Sequence, residues 1–125
     1  MTEHPVRVLV VDDQAVYRDA AQFVIEMSDG FELAGTAETA EEGLGLTDAL
    51  HPDLVLMDIN LPGINGLEAT RRIVADHPET WVIVFSTHSV GDYEPRARAA
   101  GAIGCLAKAD LAPDALAQLW ADARG

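Results

Sequence analysis

Three things are scarce in this sequence, and each scarcity argues against a class of protein. The 125 residues contain a single cysteine, Cys105, so no disulfide framework forms within the chain. Basic residues number 8 against 21 acidic ones, and the net charge of −13 repels nucleic acid phosphates and anionic membrane surfaces. No apolar run approaches the roughly 20 residues of a membrane span. Direct binding to nucleic acid or to a membrane is therefore not expected.

The N-terminus and the length suggest how the chain is organised. Residues 1–5 lack the basic and apolar regions of a signal peptide, which predicts a cytoplasmic protein. The length is close to the most frequent domain size, and no linker, repeat or low-complexity segment divides the chain. We therefore expect one domain over 1–125, with its core over about 6–123.

Apolar runs of strand length alternate with stretches of helical period, which indicates an α/β fold with strands buried on both faces. The predicted strands are 6–11, 31–35, 53–58, 81–86 and 102–107. The predicted helices are about 15–28, 40–50 and 67–76, a short helix that ends near Gly101, and a last helix from Pro113 to about Ala123. Right-handed crossovers favour a single doubly wound parallel sheet with the strand order 2-1-3-4-5.

Local signals set the ends and faces of the helices. The spacing of Thr39 and Glu42 matches a capping box, and His51-Pro52 and His77-Pro78 stop the second and third helices. Pro95 predicts that the fourth helix begins late, with this proline in its first turn. The first helix carries several apolar residues on one face: Val16, Ala20, Phe23, Val24 and Met27.

Polar residues stand at the ends of four of the apolar runs. They are Asp12-Asp13 after strand one, Asp58 at the end of strand three, Ser86 at the end of strand four and Lys108 after strand five. Because the carboxyl ends of parallel strands share one edge of the sheet, these positions converge at the switch point between strands one and three. The convergence predicts a site.

Three carboxylates so close together need a cation. Two unit charges about 5 Å apart repel by roughly 3 kcal/mol at an effective dielectric of 20. Only oxygen ligands are near in sequence, which favours a hard cation that keeps several waters, and Mg²⁺ fits best. The four histidines, at positions 4, 51, 77 and 88, show no i,i+4 pairing and indicate no transition-metal site.

An aspartate at a strand end beside Mg²⁺ can act as the nucleophile on a phosphoryl group. Lys108 supplies a positive charge for the transferred oxygens, and Ser86 supplies a hydroxyl donor. A phosphatase of the haloacid dehalogenase type needs a second acid two residues after its nucleophile, where this chain has Asn60. A flavin or dinucleotide carrier needs a phosphate-binding loop after strand one, and residues 13–16 do not provide it.

From Val6 to the last helix, the chain resembles the receiver domains of bacterial two-component response regulators. The resemblance rests on residues 10–13, 56–69 and 84–86, on Gly101-Ala102 and on Lys108. Residues 66–72 are most similar to receivers of LuxR/NarL-type helix-turn-helix regulators. The resemblance implies a flavodoxin-like receiver fold with five helices, and it leaves open a stand-alone receiver or one followed by an effector domain.

The same resemblance assigns roles by position. It implies that Asp58 accepts a phosphoryl group from a sensor histidine kinase or a phosphotransfer protein, and that the domain catalyses only its own phosphorylation and dephosphorylation. Asp13 would ligate Mg²⁺ directly, Asp12 mainly through water, and the backbone carbonyl of Asn60 would complete the protein ligands. Ser86 and Lys108 would bind the phosphoryl group. A homodimer through helix 4, strand 5 and helix 5 is a further expectation.

The sequence departs from the family pattern in its switching elements. Cys105 stands on strand five where the family usually has a tyrosine or phenylalanine, and Pro95 interrupts the fourth helix. These departures keep a second hypothesis open, a receiver-like module that binds partners without being phosphorylated. Uptake of a phosphoryl group distinguishes the phosphoacceptor receiver from this binding module.

Overall fold

A computed structural model describes residues 4–61, 63–87 and 90–124. The strands are β1 (Val6–Val11), β2 (Phe31–Ala37), β3 (Leu54–Asp58), β4 (Trp81–Ser86) and β5 (Gly104–Ala107). The helices are α1 (Ala15–Glu26), α2 (Ala40–Leu50), α3 (Gly66–Asp76), α4 (Val90–Ala99) and α5 (Pro113–Arg124), and a 3₁₀ turn covers Lys108–Asp110. All strand pairs are parallel in the order β2-β1-β3-β4-β5, which confirms the predicted topology.

The sheet is buried on both faces because its central strands are apolar at nearly every position. Side chains alternate along each strand, so neighbouring residues belong to two separate cores. One core packs against α2, α3 and α4 and includes Leu9, Val55, Met57 and Val84. The other packs against α1 and α5 and includes Val10, Leu56, Ile83 and Phe85. This two-sided burial holds the carboxyl edge of the sheet in place.

Side-chain caps and stop signals fix most of the helix ends as predicted. The Thr39 hydroxyl accepts a hydrogen bond from the Glu42 N–H at 3.0 Å and so caps α2. Pro113 is the first residue of α5, where its missing N–H costs nothing. His51 ends α2 in the left-handed region, with φ of 49°. β2 runs two residues beyond the predicted strand, and β5 begins at Gly104 rather than at 102.

The apolar face of α1 that the sequence indicates is not the buried one. Val16, Phe23 and Met27 are 69%, 63% and 61% exposed, whereas Ala21 and Ile25 are fully buried. Both sets have helical spacing, so periodicity alone cannot tell which one faces the sheet. The exposed residues form a stripe along the outside of α1, hereafter the α1 stripe (Val16, Ala20, Phe23 and Met27).

The expectation for Pro95 is wrong. The fourth helix begins at Val90, so Pro95 lies in its interior rather than in its first turn. A proline there removes the hydrogen bond to the carbonyl four residues earlier, which belongs to Gly91. Gly91 and Pro95 are both exposed, so water can satisfy this carbonyl and the helix continues.

Among the described residues, no helix combines the length and the apolar character needed to cross a membrane.

Candidate functional site

The polar positions predicted from the strand ends lie together at the carboxyl edge of the sheet. Asp12 follows β1 directly, and Asp58 is the last residue of β3. Ser86 is the last residue of β4 and pairs in register with Ala107, the residue before Lys108. Both aspartates and Ser86 are buried, which is rare for polar residues and requires partners within the site.

Three carboxylates form the centre of the site. Asp12, Asp13 and Asp58 each place one carboxylate oxygen within 4.8 Å of those of the other two. Asp12 and Asp58 are buried, while Asp13 faces solvent. The three therefore form a cup that is buried at Asp12 and Asp58 and open to solvent at Asp13.

The Lys108 ammonium group offsets the charge of the two buried carboxylates. Its Nζ lies 2.5 Å from Asp12 Oδ2 and 3.4 Å from Asp58 Oδ2, and its side chain is only 5% exposed. The same nitrogen lies 4.0 Å from the centre of the Tyr17 ring and 5.1 Å from that of Phe85. Attraction to these ring faces compensates in part for the loss of water around the ammonium.

Backbone N–H groups fix the orientation of both buried carboxylates. The Gln14 N–H donates to Asp12 Oδ1 at 2.9 Å, and the Asn60 N–H donates to Asp58 Oδ1 at 3.2 Å. Each hydrogen bond closes a turn in which the aspartate side chain accepts from the backbone N–H two residues later. The second oxygen of each carboxylate, Oδ2, lies near Lys108 Nζ.

Asp12 Oδ2 accepts no directed hydrogen bond in the described part of the chain. The nearby Lys108 ammonium attracts it electrostatically at 2.5 Å without hydrogen-bond geometry. A buried carboxylate oxygen left in this state is a candidate acceptor for a bound water or a cation. Together with the other carboxylates of the cup, it forms an all-oxygen donor set that suits a hard divalent cation such as Mg²⁺.

The environment raises the pKa of Asp58 from 3.8 to about 6. Burial is the largest cause because it penalises the charged carboxylate, and the nearby charge of Asp12 adds to it. The Asn60 N–H bond and the Lys108 ammonium act in the opposite direction on this pKa. Near neutral pH, Asp58 is therefore mostly ionised at a cost in folding free energy.

This pKa predicts how the stability of the metal-free protein depends on pH. Because the folded pKa exceeds the unfolded one, Asp58 favours folding when protonated, and this contribution is lost as pH rises from about 4 through 6. In chelator above pH 7, Asp58→Asn should be more stable than the wild type by roughly 2–3 kcal/mol. Urea unfolding at several pH values measures the difference, which should vanish below about pH 4. A constant difference across this range would contradict the prediction.

The start of α3 packs directly against the backbone of Asp58. The Gly66 N–H donates to the Ile59 carbonyl at 3.2 Å, and the Asn65 side chain caps the helix by accepting from the Glu68 N–H at 2.9 Å. A Cβ on Gly66 would lie 2.9 Å from the Asp58 carbonyl carbon and nearer still to its oxygen. Glycine is therefore required here, and this contact fixes the position of the Asp58 main chain.

Cys105 is buried on β5 and belongs to the core beneath α4. Tyr93 of α4 packs against the same core. Burial and the neighbouring charge of Glu94 raise the pKa of the Cys105 thiol, so it stays protonated near neutral pH. Cys105 is therefore a small apolar side chain of this core.

Two residues of the site are not identified by the sequence pattern. Tyr17 stacks on the Lys108 ammonium, and the Arg18 guanidinium donates to the Asp12 carbonyl oxygen at 2.9 Å. Both lie in the first turns of α1, which starts three residues after Asp12. Their position at the beginning of the helix beside the acidic pair is the only sequence signal that points to them.

Known proteins resemble this chain over most of its length. A family model described as the response regulator receiver domain matches residues 8–120. The chain is 33% identical over 116 residues to the transcriptional regulatory protein DegU of Brevibacillus brevis, covering 93% of this chain and 49% of DegU. It is 40% identical over 103 residues to the response regulator GacA of Pseudomonas protegens, covering 82% of this chain and 48% of GacA. The chain thus spans about half the length of these relatives.

Among solved structures, the chain is similar to a two-component response regulator of the LuxR family from Aurantimonas. The two share 32% sequence identity with a TM-score of 0.85, over 97% of this chain and 86% of the other. The similarity therefore extends over the whole sheet and its helices.

Proposed function

Because this chain belongs to the response regulator receiver domain family, we propose that it is the phosphoacceptor domain of a two-component signal transduction system. Asp58 would accept a phosphoryl group from a sensor histidine kinase or a phosphotransfer protein in the cytoplasm. The observation that carries this proposal is the buried contact of one ammonium, that of Lys108, with both Asp12 and Asp58. It places the proposed nucleophile, Asp58, beside the positive charge of Lys108 at the carboxyl edge of the sheet, where folds of this type bind ligands.

In the proposed reaction, an Asp58 carboxylate oxygen forms a bond to phosphorus, and the bond from phosphorus to the donor's imidazole nitrogen breaks. A pKa of about 6 leaves Asp58 ionised at neutral pH and more basic than an ordinary aspartate, which suits a nucleophile. The Lys108 ammonium, 3.4 Å from Asp58 Oδ2, lies close enough to pair with a transferred oxygen.

We assign the metal ligands to the carboxylates of Asp12, Asp13 and Asp58 and to the Asn60 carbonyl. Bound Mg²⁺ would neutralise negative charge on the phosphoryl oxygens. Asp13 is the exposed member of the set, so it can bind an arriving ion before the buried members do. The Ser86 hydroxyl, at the buried end of β4, would donate to the phosphoryl group and relay its presence to α4.

The α1 stripe supports docking of a protein donor beside the site. The described residues with large, strongly exposed apolar side chains are Val16, Phe23 and Met27, and all three lie on α1 or directly at its end. A helix that starts next to the acidic pair and presents apolar side chains to solvent suits a partner that must bring a phosphoryl group to Asp58. The homodimer expected through α4, β5 and α5 stays a prediction.

A receiver-like module that only binds partners is the alternative. Binding alone does not require two buried carboxylates side by side, of which Asp58 has a pKa raised by burial and, to a smaller extent, by the charge of Asp12. The cluster therefore favours phosphoryl transfer, and the domain would promote only its own phosphorylation and dephosphorylation.

Magnesium-dependent labelling tests the proposal. Incubation with acetyl phosphate and Mg²⁺ should add one phosphoryl group, detected by intact-protein mass spectrometry at neutral pH. Chelator should lower the initial rate at least about tenfold, because the repulsion between the carboxylates and the phosphate is then uncompensated. Excess Mg²⁺ added after the chelator is the control and should restore the rate. Equal rates with and without chelator would refute the metal dependence, and absence of uptake would favour the module that acts without phosphorylation.

A further inference from the structure

The ends of α2 and α3 bring together two histidines that are far apart in the sequence. His51 follows the last residue of α2 and His77 follows the last residue of α3. Their ring centres are 5.8 Å apart, with the ring planes at 69°. The sequence, in which the histidines show no i,i+4 pairing, does not indicate this proximity, and His88 lies outside the described residues.

A carboxylate completes the cluster. Ring nitrogens of His51 and His77 and a carboxylate oxygen of Glu79 lie within 4.8 Å of one another. His77 Nδ1 is 4.0 Å from Glu79 Oε1. Two imidazoles and a carboxylate are the donor set of three-ligand zinc sites, in which water takes the fourth position. We propose that His51, His77 and Glu79 bind a Zn²⁺ ion.

The second nitrogen of His77 is arranged as in metal-bound histidines. His77 Nε2 lies 2.6 Å from Asp48 Oδ1 of α2. A histidine that ligates a metal through one nitrogen usually donates its other N–H to a carboxylate, which fixes the ring and makes the ligating nitrogen more basic. We assign the Nε2 proton to the contact with Asp48, so that Nδ1, on the side of Glu79, is the nitrogen that would bind the ion. The 2.6 Å contact between His77 and Asp48 is a second observation, beside the cluster itself, that fits a metal site.

The cluster can contract around an ion. Zinc–nitrogen and zinc–oxygen bonds of about 2.0–2.2 Å put tetrahedral ligand atoms roughly 3.4 Å from one another. The ligand atoms of His51, His77 and Glu79 lie within 4.8 Å of one another and must therefore move closer to bind an ion. His51 and Glu79 are exposed, so their side chains can rotate inward without repacking the core. The His77 side chain is only 13% exposed and anchors the site. His77 is therefore the ligand whose position the fold fixes, and the side chains of His51 and Glu79 move toward it.

This site is separate from the three-aspartate cup. His51 precedes β3 and His77 precedes β4, so both lie at the amino edge of the sheet, opposite the aspartates. The cup offers only oxygen ligands, which suit Mg²⁺, whereas imidazoles favour Zn²⁺. An ion at the histidine cluster would link the ends of α2 and α3 without occupying the phosphorylation site.

Calorimetric titration of the full chain with ZnCl₂, in excess Mg²⁺ to occupy the aspartates, tests the proposal. We expect one equivalent to bind to the wild type, with the affinity reduced more than about tenfold in His77→Gln and in His51→Asn. The glutamine of the first variant retains a donor to Asp48, and asparagine tolerates the left-handed conformation at position 51, so both variants should fold. Asp48→Asn should weaken binding by about tenfold. The matched control, His4→Gln, removes an exposed histidine outside the cluster and should bind as the wild type does.

A spectroscopic measurement separates this site from loose surface binding. Co²⁺ in place of Zn²⁺ should give visible absorption bands of a four-coordinate site in the wild type and in His4→Gln, and these bands should be lost in His77→Gln. Retained labelling by acetyl phosphate in each variant shows that the fold is intact. Equal Zn²⁺ affinity in the wild type and His77→Gln, or no Zn²⁺ binding by the wild type, would overturn the proposal while leaving the phosphorylation proposal untouched.

Discussion

Replacement of Asp58 by asparagine is expected to abolish phosphoryl uptake from acetyl phosphate. Asparagine has nearly the same shape and can still accept the hydrogen bond from the Asn60 N–H, so the loop after β3 should keep its conformation. The amide is a very poor nucleophile, and Asp58 is the described carboxylate that faces both Asp12 and the Lys108 ammonium. We expect the rate to fall by more than about 100-fold, which corresponds to roughly 3 kcal/mol in barrier height.

Intact-mass spectra taken over a time course in Mg²⁺ measure this loss. Asp110→Asn is the matched control because Asp110 is an exposed aspartate two residues after Lys108 and outside the carboxylate cluster. It should take up one phosphoryl group at the wild-type rate. Labelling of Asp58→Asn at the rate of this control would show that another residue is the acceptor.

Gly66→Ala is expected to have the largest effect on stability of any small substitution near the site. Its Cβ would meet the Asp58 carbonyl group and the Ile59 Cα, which are backbone atoms of a buried strand end and cannot move aside independently. We expect a loss of at least about 3 kcal/mol in the free energy of unfolding. Because relief of the clash displaces the Asp58 main chain, labelling by acetyl phosphate should also slow in the fraction that folds.

Two glycines of α2 provide matched controls for this steric effect. A Cβ on Gly45 meets nothing within 4 Å, so Gly45→Ala should stabilise the protein by up to about 1 kcal/mol through helix propensity. A Cβ on Gly43 would lie 2.8 Å from Val11 Cγ2, a side-chain atom, so Gly43→Ala should destabilise the protein by less than Gly66→Ala. Urea unfolding should therefore rank Gly45→Ala as the most stable of the three variants and Gly66→Ala as the least stable. A Gly66→Ala variant as stable as the wild type would refute the packing argument.

The sheet order and the convergence of the polar residues could be predicted from the sequence because both follow from local patterns. Each strand is a short apolar run, and Asp12, Asp58 and Ser86 stand directly at the ends of such runs. Parallel pairing then brings those ends to one edge whatever the details of packing. The roles of Ser86, Lys108 and the metal ligands stay predictions.

The remaining features depend on tertiary packing that the sequence does not specify locally. The buried face of α1 cannot be assigned from the sequence because two apolar faces fit the same helical period, and only contact with the sheet selects Ala21 and Ile25. The reason for Gly43 is its contact with Val11, a residue in another element. The pairing of His51 with His77 likewise arises only when the ends of α2 and α3 meet.

The contact between Lys108 and Tyr17 connects the buried aspartates with the helix α1. Tyr17 is a residue of α1, the helix that presents the α1 stripe, while Lys108 holds the buried aspartates. A partner that displaced α1 would therefore change the electrostatic field at Asp58, and a ligand that drew Lys108 away from the aspartates would also separate it from Tyr17. Because coupling free energies are reciprocal, a partner bound to α1 and a ligand bound at the carboxylates would then change each other's affinity by the same factor.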